Sequence, residues 1–177
     1  MKIESLKFPI GKFEKPQEIT QSHVNIWIKD VENFPDRLFH EVQDLSEGQL
    51  DTPYRPEGWT IRQVVHHVAD SHMNSFIRIK LALTENNPVI KPYLEEKWAE
   101  LPDSKNYPLQ TSLNIIKALH ERWSYLLKQL TEEDLNKTFI HPESNKEFTI
   151  KEMVGFYAWH SNHHLAHIST LKKSKNW

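Results

Sequence analysis

Three histidines stand at matching positions behind two helix-start signals. Thr60 is followed three residues later by Gln63, and Thr149 three residues later by Glu152. This is the capping-box pattern, in which each side chain satisfies the other residue's free backbone N–H. His67 lies seven residues after Thr60, while His160 and His164 lie eleven and fifteen after Thr149. Seven, eleven and fifteen fall on one row of four-residue steps. At about 100° per residue that row runs along the border of each helix's apolar face. Two imidazoles four apart on a helix reach one ion. A third from another helix makes three neutral nitrogen ligands and leaves a coordination position open. That is the pattern of a catalytic rather than a structural zinc site.

Spacing alone does not choose the set. The chain has 177 residues and eleven histidines. His163 and His167 form a second His-x-x-x-His pair, rotated toward the polar side. His72, near the centre of an apolar face between Val68 and Phe76, competes with His67 or serves as a hydrogen-bonded core residue. His66 points away from the core and reads as exposed. His23, His40, His120 and His141 have no partner by spacing and take surface or capping roles. Asp70, three residues from His67, either holds an imidazole N–H or is a solvated surface carboxylate. The chain contains no His-Glu-x-x-His, Gly-x-Ser-x-Gly, P-loop or Gly-x-Gly-x-x-Gly motif.

The elements that must position these residues are helical. Only four residues are Gly, and apolar residues recur at three- and four-residue steps. A first helix is predicted from about Pro16 to Leu45, with Pro35 kinking or splitting it. A second runs from Thr60 through Leu83 and is stopped by Asn86-Asn87-Pro88. A third covers about 110 to 130, and a fourth runs from Thr149 to about Leu171. The segment Leu45 to Val65 rhymes with Leu130 to Val154, each half reading as helix, turn, loop, capped helix. The expectation is one all-α domain over 1–177, a four-helix bundle of two helical hairpins. A long crossover loop joins helices 2 and 3. That connection, residues 86 to 109, carries Tyr93, Trp98 and Tyr107 and is long enough to be functional.

Composition narrows the function classes. With no cysteine there is no disulfide, thiolate zinc site or Cys nucleophile. A net charge of −2 argues against a general nucleic-acid binder. No apolar run approaches the ~20 residues of a membrane span, and the charged start lacks a signal-peptide core. A cytoplasmic protein is the expectation.

The stretch from Tyr54 to His72, reading YRPEGWTIRQVVHHVADSH, closely resembles the DinB/YfiT-like family. So do RIKLALTE from Arg78, the loop from Lys91 through Trp98-Ala-Glu-Leu, and WHSNHHLAHI from Trp159. These pieces keep their order over most of the chain, and the YfiT-type metal-dependent hydrolases are the nearest subgroup. The resemblance implies a four-helix bundle, a homodimer and one divalent metal per subunit, Zn or a similar ion such as Ni. It selects His67, His160 and His164 as the ligands. It also implies a small-molecule substrate, hydrolysed, or alternatively joined to a low-molecular-weight thiol such as bacillithiol by a thiol S-transferase. A non-catalytic metal-binding or stress-sensing bundle is the rival from another class. Tyr93 and Trp98 are candidate walls of the pocket, His163 a candidate neighbour of the metal, and Glu95 and Glu96 candidate bases only because they sit in that loop.

Overall fold

The computed structural model describes residues 3–177. In chain order the elements are α1 (Ile3–Lys7), α2 (Gln21–Val42), α3 (Glu47–Leu50), α4 (Ile61–Thr84), α5 (Glu95–Trp98), α6 (Pro102–Asn106), α7 (Leu109–Gln129), α8 (Glu132–Asn136), β1 (Thr138–His141), β2 (Lys146–Thr149) and α9 (Ile150–Lys175). The long helices α2, α4, α7 and α9 form the four-helix bundle. Thr60 and Thr149 cap α4 and α9 as expected, with Gln63 and Glu152 completing each box. Among the described residues no helix is long and apolar enough to cross a membrane.

The first long helix starts later than predicted. Thr20 is its cap, and His23 completes the box by accepting from the Thr20 backbone N–H at 3.2 Å. Pro16 lies outside it. Pro35 does not split α2, which runs continuously past it. A proline has no N–H, so the carbonyl four residues back loses its helical partner. That carbonyl belongs to Val31, and it accepts a hydrogen bond from His120 Nδ1 on α7 at 2.6 Å instead.

The helices are not arranged as two hairpins. α2 packs against α7 and α9, and α4 packs against the same two, with no comparable contact between α2 and α4 or between α7 and α9. Helices consecutive in the first and second halves are therefore diagonal to each other. Hairpins need short connections. Here the links at 43–60 and 130–149 are long enough to cross the bundle end and carry α3, α8 and a β-hairpin. The hairpin was not expected; it pairs Phe139 with Phe148 and turns through Asn145 at φ 49°.

The long connection between α4 and α7 joins neighbours rather than crossing the bundle. It folds into α5 and α6 against α4. Gln63 Nε2 donates to the Ala99 carbonyl at 2.8 Å, and Arg62 Nη1 to that of Tyr107 at 3.2 Å. His66 is buried rather than exposed, because this segment covers it. Its Nε2 bonds the Tyr107 carbonyl at 3.0 Å and its Nδ1 the Ser112 hydroxyl at 2.7 Å.

Two apolar clusters fill the bundle. One holds Val31, Ile79, Trp123, Val154 and their neighbours; the other holds Phe34, Val65, Ile116, Ile168 and theirs. The change from one to the other comes at mid-length of every long helix. At that level α4, α7 and α9 contribute His72, His120 and His160, all buried. A polar layer thus divides an otherwise apolar core.

Candidate metal centre

His67 on α4 and His160 and His164 on α9 are buried and converge. A ligand nitrogen from each lies within 4.8 Å of the other two. His160 Nε2 and His164 Nε2 are 3.1 Å apart. The ring of His67 stands 5.5 Å from that of His160 and 4.9 Å from that of His164. Burial holds all three imidazoles neutral. It pushes His67 down to about 4, with the nearby His163 a smaller cause. His160 and His164 are driven well below the ordinary value by burial first and by neighbouring histidines second, chiefly His67 for His160 and His160 for His164. Neutral imidazoles have the lone pairs a metal needs.

The polar layer dictates which lone pair His160 presents. The Val31 carbonyl only accepts, so His120 Nδ1 carries the proton. A neutral His120 then accepts at Nε2, so the proton in its 2.7 Å contact with His72 sits on His72 Nδ1. His72 Nε2 in turn accepts, so His160 Nδ1 donates across the 3.1 Å contact. His160 is left with a bare Nε2 facing the convergence point. Each of the three rings is neutral by burial, His120 being held at about 4. Metal-ligating histidines generally donate their other N–H to such a partner, which fixes ring orientation and tautomer. The usual carboxylate or carbonyl is here relayed through two imidazoles to a carbonyl that Pro35 leaves free.

The residues fit a divalent cation. Two nitrogens bound at the usual zinc distance in tetrahedral geometry stand about 3.3 Å apart, close to the 3.1 Å between His160 and His164.

The triad opens on a cleft of about 1400 Å³ that also reaches Arg78, Tyr93, Tyr157 and His141. Trp59 covers His67 at 4.7 Å between ring centroids. His163 and His167 lie beside the triad, outside the convergent cluster. His163 stacks on Trp159 at 4.6 Å, and His167 on Tyr54 at 3.9 Å while its Nε2 donates to the Lys7 carbonyl at 3.2 Å. His72 is a core residue of the relay, not a competing ligand. Among the described residues no hydrogen bond joins the Asp70 carboxylate to an imidazole. Burial, then the charge of Asp103, raises that carboxyl to about 6. Of the two readings of Asp70, the hydrogen bond to an imidazole is not made, and the partner of a triad ring is His72. Tyr93 lines the cleft, whereas Trp98 packs behind it at 4.7 Å and does not reach the cleft. Glu95 and Glu96 stand at the rim. His120, Tyr157, Ser71 and Arg78 escaped sequence reasoning. His67, Ser71, Ser75 and Arg78 do form one stripe of four- and three-residue steps on α4, a signal that could have found two of them.

Residues 31–168 match the DinB superfamily. A protein of Bacillus cereus (strain 03BB102) is 55% identical over 175 residues, covering 99% of this chain and all of that protein. One of Bacillus thuringiensis subsp. konkukian (strain 97-27) matches to the same extent. Both are named "putative metal-dependent hydrolase". The solved structure of YfiT from Bacillus subtilis superposes with a TM-score of 0.96 at 45% identity, covering 98% of this chain and 99% of that one. YfiT is described as "a probable metal-dependent hydrolase with an unusual four-helix bundle topology". With its bundle, its histidine cluster and these relatives in agreement, the chain is a member of the DinB superfamily and similar throughout to YfiT.

Proposed function

We propose that this protein is a metal-dependent hydrolase of a small molecule, with one divalent cation held by His67, His160 and His164. The observation that carries the reading is the convergence of three neutral imidazole nitrogens at the end of an open cleft. A cation there supplies Lewis acidity, making water acidic enough to react as its anion near neutral pH and polarising the bond to be cleaved. Zn is the expected ion, and an all-imidazole donor set also suits Ni.

The chain's own residues do the rest. The Val31–His120–His72 relay holds His160 with Nε2 bare. Trp59 packs against His67 and limits its rotation. The names of the relatives support hydrolysis. One feature supports a thiol S-transferase as the second reading. Among the described residues no carboxylate is hydrogen-bonded to the triad, and a thiol is acidic enough to need no such base when a cation holds it.

The test strips the untagged protein with a chelator and reloads it with Zn or Ni. Ester and amide substrates are then offered with and without a low-molecular-weight thiol. Metal-restored cleavage without thiol is expected. Metal-restored consumption of an electrophile only when thiol is present would replace hydrolysis by transfer. No turnover across both panels by a fully loaded protein would leave a metal-binding bundle.

A further inference from the structure

Arg78 is buried at 8% exposure, and no carboxylate lies within ion-pairing distance of it among the described residues. Its Nη2 donates to the Lys91 carbonyl at 3.3 Å, while its Nε is buried without a partner. The Tyr93 hydroxyl is also buried and lacks a partner in hydrogen-bonding geometry; burial raises its pKa and keeps it a neutral donor, with the nearby Ser71 a smaller, opposing influence. Both residues line the cleft that contains the histidine triad. A buried guanidinium without a counter-ion is costly, and natural proteins pair such charges. Two unpaired donors and one positive charge facing a cleft describe a site whose anion comes from outside.

We propose that Arg78 and Tyr93 bind a carboxylate group of the substrate. This rests on the hydrolase reading, since it places the far end of the molecule whose near end meets the metal. Arg78 follows His67 by eleven residues on α4, about 16 Å along the helix axis. Helical side chains lean toward the N-terminus, so the guanidinium reaches back toward the triad. A single guanidinium edge with one hydroxyl matches the two oxygens and single charge of a carboxylate better than a dianionic phosphate. Glu95 and Glu143 also line the cleft. Among the described residues neither forms an ion pair with Arg78, and the Glu95 carboxyl is raised, by burial first and then by Glu96 and Glu143, rather than lowered as a salt-bridge partner's would be.

Monohydroxamates of linear dicarboxylic acids of four to eight carbons are suitable probes, because the hydroxamate seeks the metal and leaves one free carboxylate. Their methyl esters are the controls. In the zinc-loaded full chain, at least one chain length should bind tenfold or more tightly as acid than as ester. Arg78→Gln should abolish that preference, and Arg78→Lys, which keeps the charge, should retain part of it. Should Arg78→Gln fail to fold, Tyr93→Phe must reduce the preference instead. A second measurement needs no metal: glutarate should raise the melting temperature of metal-free wild type and not that of Arg78→Gln. Equal binding of acids and esters, with no glutarate effect, overturns the carboxylate site and leaves the metal reading intact. A carboxylate preference that persists with hydroxamate binding indifferent to zinc supports Arg78 and sinks the metal reading.

Discussion

The two ring nitrogens of His160 face opposite worlds. On the bundle side, Nδ1 begins a chain of hydrogen bonds through His72 and His120 to the Val31 carbonyl, with every imidazole nitrogen along it partnered. On the cleft side, Nδ1 of His163, His164 and His167, Nε of Arg78 and the Tyr93 hydroxyl are all buried without a partner. Both regions are histidine-rich and buried. The hydrogen-bonded chain orients a residue and contributes to the fold, although the Trp123 indole N–H beside it is also buried without a partner, whereas unmet donors and acceptors lining an opening can be met by a ligand. Substitutions in the layer should therefore cost stability, and those in the cleft should cost binding.

The largest effect on stability is expected for His120→Ala. It leaves a cavity and strands the Val31 carbonyl and His72 Nδ1, which should cost about 3 kcal/mol or more. His163→Ala, on the cleft side, should cost under about 1 kcal/mol. Chemical denaturation of the two metal-free variants compares them, and equal losses would erase the distinction between the regions.

His72→Phe keeps most of the volume and breaks the relay one step from the triad. Metal affinity should fall about 10- to 100-fold, the usual consequence of removing a ligand's hydrogen-bond partner. A competitive chelator titration reads this directly. Unchanged affinity would make the layer a packing device only.

Acid sharpens the contrast further. Burial holds His67, His120 and His163 at about 4, below the ordinary 6.5. Between those values the unfolded chain binds more protons than the folded one, so stability falls as pH drops from about 6.5 toward 4. Asp70, raised to about 6, pushes the other way, but as one group against several. Metal-free protein should melt at progressively lower temperature through that window. A melting temperature flat from pH 7 to 4 would contradict the neutral, buried state of these rings.

Thr60→Ala should have the smallest effect, about 1 kcal/mol, because it removes one helix cap and no residue of the relay or the triad. Metal stoichiometry should not change.

The triad was legible because two capping boxes set the phase of two helices, and phase plus a four-residue step places side chains on a face. The resemblance then chose among sets that spacing allowed. The relay was not legible. His120 has no partner near it in the chain; its partners come from α2 and α4, and one is a carbonyl made available by Pro35. Proline's backbone effect suggested a broken helix, whereas tertiary structure supplied a substitute donor. The diagonal connectivity was hidden for a related reason, since periodicity reports which face is buried and not which helix covers it. His66 shows the same limit: its burial comes from partners distant in the chain, the Tyr107 carbonyl of the connection and the Ser112 hydroxyl on α7.

The most direct test of the account is the metal content of untagged protein as purified and after equilibration with zinc, compared with His160→Ala and His164→Ala. The account predicts about one tightly held ion per chain for the wild type and loss of that ion in both variants, with helical content retained. Full metal content in either variant would contradict the three-histidine centre on which the rest depends.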